Sequence, residues 1–168
     1  MSIAQLRLTK AALIAAVAVW AAASLLQNLL NWSATLDAVR ATTSMATFDA
    51  GPGSWQATAN PIIVWLGALF IAGGKLVAAA LCGVGAVGMW RARASQDGRY
   101  AASRRTALIG CGAALFMLFA GFIVIAEVWF GLWQSESLRE PVLESAMRYA
   151  ASIALIALFV ASTENEGG

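Results

Sequence analysis

The chain has 168 residues, of which 60% are hydrophobic and 12% charged, whereas about a quarter of the residues in an ordinary soluble domain are charged. It therefore reads as a membrane protein, small enough for one bundle. A formal charge of +2 with scattered basic residues excludes a nucleic-acid surface, and the absence of histidine removes the usual haem ligand, the commonest zinc ligand and the default general base. No cofactor and no metal site is expected, and an enzyme ranks last among the functional readings.

Four apolar runs are long enough to cross a bilayer, which takes about 20 residues in a helix. They cover about 11–30, 61–90, 106–133 and 142–162. Arg7 and Lys10 before an alanine-rich run ending in Ala21-Ala-Ala23 resemble a signal peptide. The apolar run continues to Leu30, however, so the segment is expected to be retained as the first span.

The outer connection, 31–60, is the longest. Residues 36–45 read as a short surface helix, Asp49-Ala-Gly-Pro-Gly53 as a turn, and Pro61 as the first position of the second span. Trp32, Trp55 and Trp65 suit an interfacial belt. Asn31-Trp-Ser33 matches a glycosylation sequon but lies against the membrane, where it reads as a chance match.

The second span contains Lys75 within IAGGKLVAAALC. A lysine at mid-bilayer costs about 2.5–3.5 kcal/mol and each large aliphatic or aromatic neighbour returns about 0.3–0.6, so the span inserts regardless. Residues at helical spacing from Lys75 are Ala68, Ile71, Ala72, Ala78, Ala79, Cys82 and Ala86, a mostly small stripe on which helices pack closely in lipid. Lys75 is therefore expected to face protein. In the same span Gly83-Val-Gly-Ala-Val-Gly88 matches a dinucleotide fingerprint, which works only between a strand and a helix; here it reads as a packing surface. Cys82 and Cys111 lack metal or redox spacing and read as small buried hydrophobes.

The loop 91–105 carries Arg91, Arg93, Arg99, Arg104 and Arg105, with Asp97-Gly98 as its turn. Together with Arg7 and Lys10 these outnumber Arg40 and Arg139 on the other side, so both termini are expected in the cytoplasm. Arg91, Arg93, Arg104 and Arg105 also offer a weak site for anionic lipid headgroups. The third span ends in Glu127-Val-Trp-Phe-Gly-Leu-Trp-Gln-Ser135, where Trp129, Phe130 and Trp133 read as an interfacial anchor that can also dock a partner helix or a quinone-like ring. The fourth span is expected to start at Pro141, and the tail 163–168 is polar and expected to be mobile.

At a rise of about 1.5 Å per residue, Lys75 lies about 24 Å from Arg91, Gln27 about 26 Å from Lys10, and Arg148 about 22 Å from Thr163. Glu144 and Glu127 lie slightly higher, at about 28 and 33 Å. Level placement suggests a polar layer of Gln27, Asn28, Lys75, Glu127, Glu144 and Arg148, with Lys75 reaching toward Glu127 and Glu144 meeting Arg148 four residues on. The alternative is that Glu127, Glu144 and Arg148 are hydrated near the interface and only Lys75 is truly intramembrane.

The stretch EVWFGLWQS, with Ala-Ala-Leu-Cys82-Gly-Val-Gly-Ala and the outer-loop Val39-Arg40 and Met45-Ala-Thr-Phe48, resembles the uncharacterised DUF2165 family of small integral membrane proteins, from about residue 28 to 161. The resemblance implies a bacterial four-helix protein of the cell inner membrane with no assigned activity. It also implies an acidic residue where this chain has Lys75, so carboxylate chemistry at that point does not carry over.

The expected fold is thus an all-α four-helix transmembrane bundle, one membrane domain over 1–168. The leading functional expectation is a non-enzymatic accessory subunit packed against other integral membrane subunits, plausibly respiratory or photosynthetic. The alternative is a small carrier or ion-conducting oligomer with a Lys75/Glu127 path, although broken helices and an internal repeat are not evident. Lipids are the other expected partner; nucleic acid is not.

Overall fold

The computed structural model describes residues 2–49, 51–95 and 98–162. Asp97 of the expected turn and the tail 163–168 lie outside the described residues, as does Ala50. Four helices are long and apolar enough to span a bilayer: Ile3–Leu30, Pro61–Arg91, Arg99–Trp129 and Arg139–Ala161. The four-span all-α expectation is met, with informative shifts at the helix ends.

Helix α1 (Ile3–Leu30) begins well before the apolar run because Ser2 and Gln5 cap it reciprocally. Ser2 Oγ accepts from the Gln5 amide at 3.3 Å and Gln5 Oε1 accepts from the Ser2 amide at 2.9 Å, satisfying donors that the first turn leaves open. Arg7 and Lys10 are consequently helical. Helix α2 (Trp32–Thr43) follows after Asn31, earlier than the expected 36–45. Its Trp32 ring meets Trp65 at 5.6 Å, and Val39 sits so close to Gly67 that a Cβ there would lie 2.9 Å from Val39 Cγ1.

Helix α3 (Pro61–Arg91) starts as anticipated, with Pro61 in the first turn and Asn60 Oδ1 accepting from the Ile62 amide at 2.9 Å. Helix α4 (Arg99–Phe116) starts before the expected 106, so Arg104 and Arg105 are helical rather than in a loop. It continues without a break as a π-helical stretch, Met117–Trp129. The expected end at 133 is too late: Gly131 takes φ +63°, a conformation open to glycine, and Leu132–Gln134 forms a separate short turn. Helix α5 (Ser145–Ala161) is preceded by a π-helical turn, Arg139–Glu144, which places Pro141 near its start.

α3 is the spine, packed along most of its length against α1 on one side and α4 on the other; α5 touches α4 and, more lightly, α1. Packing is continuous in the half of the bundle nearer the termini. There Ala11, Ile14, Ala21, Ala78, Cys82, Met89, Ala107, Cys111, Ala114 and Met117 form one buried cluster. Without a hydrophobic drive between helices in lipid, such contacts rest on van der Waals fit, which small residues permit. Two glycines of the Gly83–Gly88 motif serve this fit: a Cβ on Gly85 would lie 2.7 Å from Ala107 backbone atoms, and one on Gly88 would run into Ser103 Oγ, whereas Gly83 faces open space.

Cationic side chains tie this end together. Arg7 Nη1 donates to the carbonyls of Arg93 (3.3 Å) and Ser95 (3.0 Å), with its guanidinium 4.5 Å from the Tyr100 ring centroid. Lys10, wholly buried, donates from Nζ to the Ser162 carbonyl at 2.8 Å just beyond α5, a charge-assisted bond at a helix C-terminus.

Gly85→Leu should lower stability in detergent by about 1–3 kcal/mol through overpacking, whereas Gly83→Leu should stay within about 0.5 kcal/mol of the parent. Thermal unfolding of both variants in one detergent checks the contrast; equal losses would show that α4 does not approach α3 along this face.

Candidate ligand-binding cavity

Above the packed half the helices part around a cavity of about 1020 Å³. α1 and its capping Asn31 line it with Trp20, Ser24, Gln27, Asn28 and Asn31, a stripe at helical spacing. α2 adds Ala38, Thr42 and Thr43, α3 adds Ile63, Phe70 and Lys75, the π-helical stretch adds Phe122 and the residue after it, Phe130, the π-helical turn before α5 adds Val142, and α5 adds Tyr149. The walls are mainly apolar, and Lys75 is the only Asp, Glu, Lys or Arg among the lining residues.

Lys75 lies at the seam between cavity and core. It is 8% exposed. Its Nζ donates to Asn28 Oδ1 at 3.2 Å and, at the long limit of a hydrogen bond, to the Ser24 carbonyl at 3.5 Å. Both acceptors are neutral and both belong to α1. Among the described residues the one ion pair is Arg40 with Asp37, 3.6 Å apart on exposed α2, so no carboxylate there neutralises Lys75.

This arrangement corrects the six-residue polar layer. Gln27, Asn28 and Lys75 share the cavity, but Glu127, Glu144 and Arg148 are not among its lining residues. Lys75 turns to Asn28 and Ser24 rather than to Glu127, because α1 presents oxygen atoms at the reach of its side chain. Glu144 and Arg148 are exposed and form no ion pair among the described residues; the Arg148 guanidinium lies 5.9 Å from the neighbouring Tyr149 ring centroid instead.

The aromatic group also divides. Trp129 and Trp133 are about half exposed, and Trp129 meets the exposed Trp55 edge-on at 5.4 Å. Phe130 is buried and lines the cavity, so it is not part of an outward docking face. Of the arginines suggested for lipid headgroups, Arg91, Arg93 and Arg105 are exposed and Arg104 half-buried. Cys82 and Cys111 are buried as expected, but their Sγ atoms lie 3.9 Å apart across the α3–α4 contact, a proximity that spacing in the chain does not reveal. The anchoring role of Lys10 was likewise missed. A hint lay in its position on the Ala11, Ile14, Ala18 and Ala21 face, which placed it toward protein.

Because its acceptors are neutral, Lys75 contributes little net stability. Lys75→Met should fold, with stability unchanged or raised by about 1–4 kcal/mol, as when buried charges are replaced by apolar groups of similar size. Unfolding curves in detergent check this; a variant that no longer folds would show that the two hydrogen bonds to α1 hold the bundle together.

Comparison with known proteins adds family but no activity. No curated protein and no solved structure matches the chain. A family model matches residues 6–163, described as DUF2165, predicted small integral membrane protein. The match covers nearly all of the four-span bundle, and the chain belongs to the DUF2165 family.

Proposed function

We propose that this is a non-enzymatic, multi-pass protein of a bacterial inner membrane that holds an amphipathic molecule between its helices, in the cavity above Lys75. One observation carries the reading: a buried ammonium group borders a largely apolar cavity of about 1020 Å³ and, among the described residues, has two neutral oxygens for partners. Apolar cavities of about 300–1,000 Å³ with a few convergent polar groups are the usual form of small-molecule sites. Intramembrane charges mark functional positions by default. The gathering of Arg7, Lys10, Arg91, Arg93 and Arg99 at one end supports placing that end in the cytoplasm.

A second reading keeps the accessory-subunit role, in a respiratory or photosynthetic assembly. Its support is the exposed Trp55–Trp129 pair, an aromatic surface of the kind a partner helix covers. A carrier built on a Lys75/Glu127 path has less support, since Glu127 is not among the cavity-lining residues.

Protein purified in mild detergent should carry a small molecule detectable by extraction and mass spectrometry. Val142→Trp, which fills the cavity from the π-helical turn before α5, should reduce the recovered amount at least tenfold while unfolding normally. Equal recovery from both proteins would place the molecule elsewhere, and a stoichiometric protein partner with no small molecule would favour the subunit reading.

A further inference from the structure

Hydrogen-bond donors and acceptors at the inner end of the cavity are out of balance. An ammonium group has three donors and no acceptor. Two of those of Lys75 are directed to Asn28 Oδ1 and the Ser24 carbonyl, which leaves one. Asn28 is oriented by that contact: with Oδ1 toward the ammonium, its Nδ2 amide points its two donors away, and it meets no acceptor among the described residues. A free N–H of Lys75 and the Nδ2 amide of Asn28 therefore lie side by side at the border of an apolar chamber, with one positive charge and no lining carboxylate.

We infer that the bound molecule is a single-chain carboxylate, its head received by Lys75 Nζ and Asn28 Nδ2 and its hydrocarbon chain lying along Phe70, Phe122 and Val142. This rests on the cavity being the functional site, and it names the ligand class. A carboxylate offers two acceptor oxygens and one negative charge, matching two adjacent donors and one positive charge. A phosphate ester with up to two charges is ordinarily met by several bases or an arginine fork, and this cavity has neither among its lining residues. Depth decides against a diacyl phospholipid. Lys75 is about 21 Å along α3 from Pro61 and about 24 Å from Arg91, so a charged headgroup would have to abandon the interface. A carboxylic acid sheds its charge by protonation and can reach mid-membrane as a neutral molecule.

The test uses full-length protein in a neutral maltoside detergent, with quenching of tryptophan emission, including that of cavity-lining Trp20, by brominated hexadecanoate. Expected are saturable quenching, displacement by unlabelled hexadecanoate at least tenfold more effective than by hexadecanol, and no displacement by butyrate. Lys75→Met should weaken binding tenfold or more. Asn28→Asp, which supplies the ammonium with an internal counter-ion, should weaken it similarly while the protein unfolds as the parent does.

Hexadecanol binding as tightly as hexadecanoate, or Lys75→Met leaving affinity unchanged, overturns the carboxylate assignment. If Val142→Trp still abolishes that binding, the cavity reading stands. Preferential displacement by a neutral quinone also overturns the assignment, in favour of a carbonyl ligand. If no long-chain compound or quinone binds, or Val142→Trp has no effect on what does, the carboxylate proposal and the cavity reading fall together.

Discussion

The structure turns on a single difficulty: an ammonium group near the middle of a membrane-spanning helix, where lipid supplies no hydrogen-bond acceptor. The solution comes from the neighbouring helix. α1 lends a backbone carbonyl at Ser24 and a side-chain amide at Asn28, one turn apart on the same face. A carbonyl oxygen has two lone pairs, so Ser24 can accept from Lys75 and still serve its own helix. Both contacts require α1 and α3 to keep one register, and α3 is buried around Lys75 at small residues, Ala68, Ala72 and Ala78, of the kind that lets helices come close.

The bundle has two unlike halves that meet at this residue. Toward the termini, alanine, glycine and cysteine bring backbones together, and Arg7 and Lys10 fasten the ends of separate helices to one another through carbonyls. Toward the 31–60 connection the same helices line the cavity with the large side chains Trp20, Phe70, Phe122 and Tyr149. The change in α4 from α-helical to π-helical form at Met117 falls at the same boundary. π-helical turns are rare and recur at functional sites, where the widened backbone changes which side chains face inward. Gly74, directly beside Lys75, is where Met117 fits against α3.

Much of the fold was legible because its determinants are local. Hydropathy marks the spans, Pro61 after Asn60 marks a helix start, and the small stripe around Lys75 shows that this lysine faces protein. The site was legible only in part. Rise per residue shows which residues are level, but not which way they point. Glu127, Glu144 and Arg148 were level enough to suggest a layer, yet the cavity lining excludes them. For Glu127 the cause is specific: residues after Met117 follow a π-helical phase that an α-helical count misplaces, and Ala126 and Phe130 line the cavity instead. Lys10 bonding beyond the far end of α5 and Cys82 beside Cys111 are products of packing between distant segments, invisible to spacing along the chain.

The division into halves bears on whether such a molecule holds or conducts. A conduit needs polar groups in succession through the membrane, or two arrangements that open to opposite sides in turn. Below Lys75 the buried cluster includes Ile14, Cys82, Met89 and Cys111, all fully buried. A molecule in the upper chamber thus meets a close-packed apolar floor. α5 packs only lightly against α1 and borders the cavity with its first turns, so the proposed ligand disturbs the least packing if it enters and leaves between these two helices. For the ligand-holding role proposed above, this packing favours capture and return over transfer across the membrane.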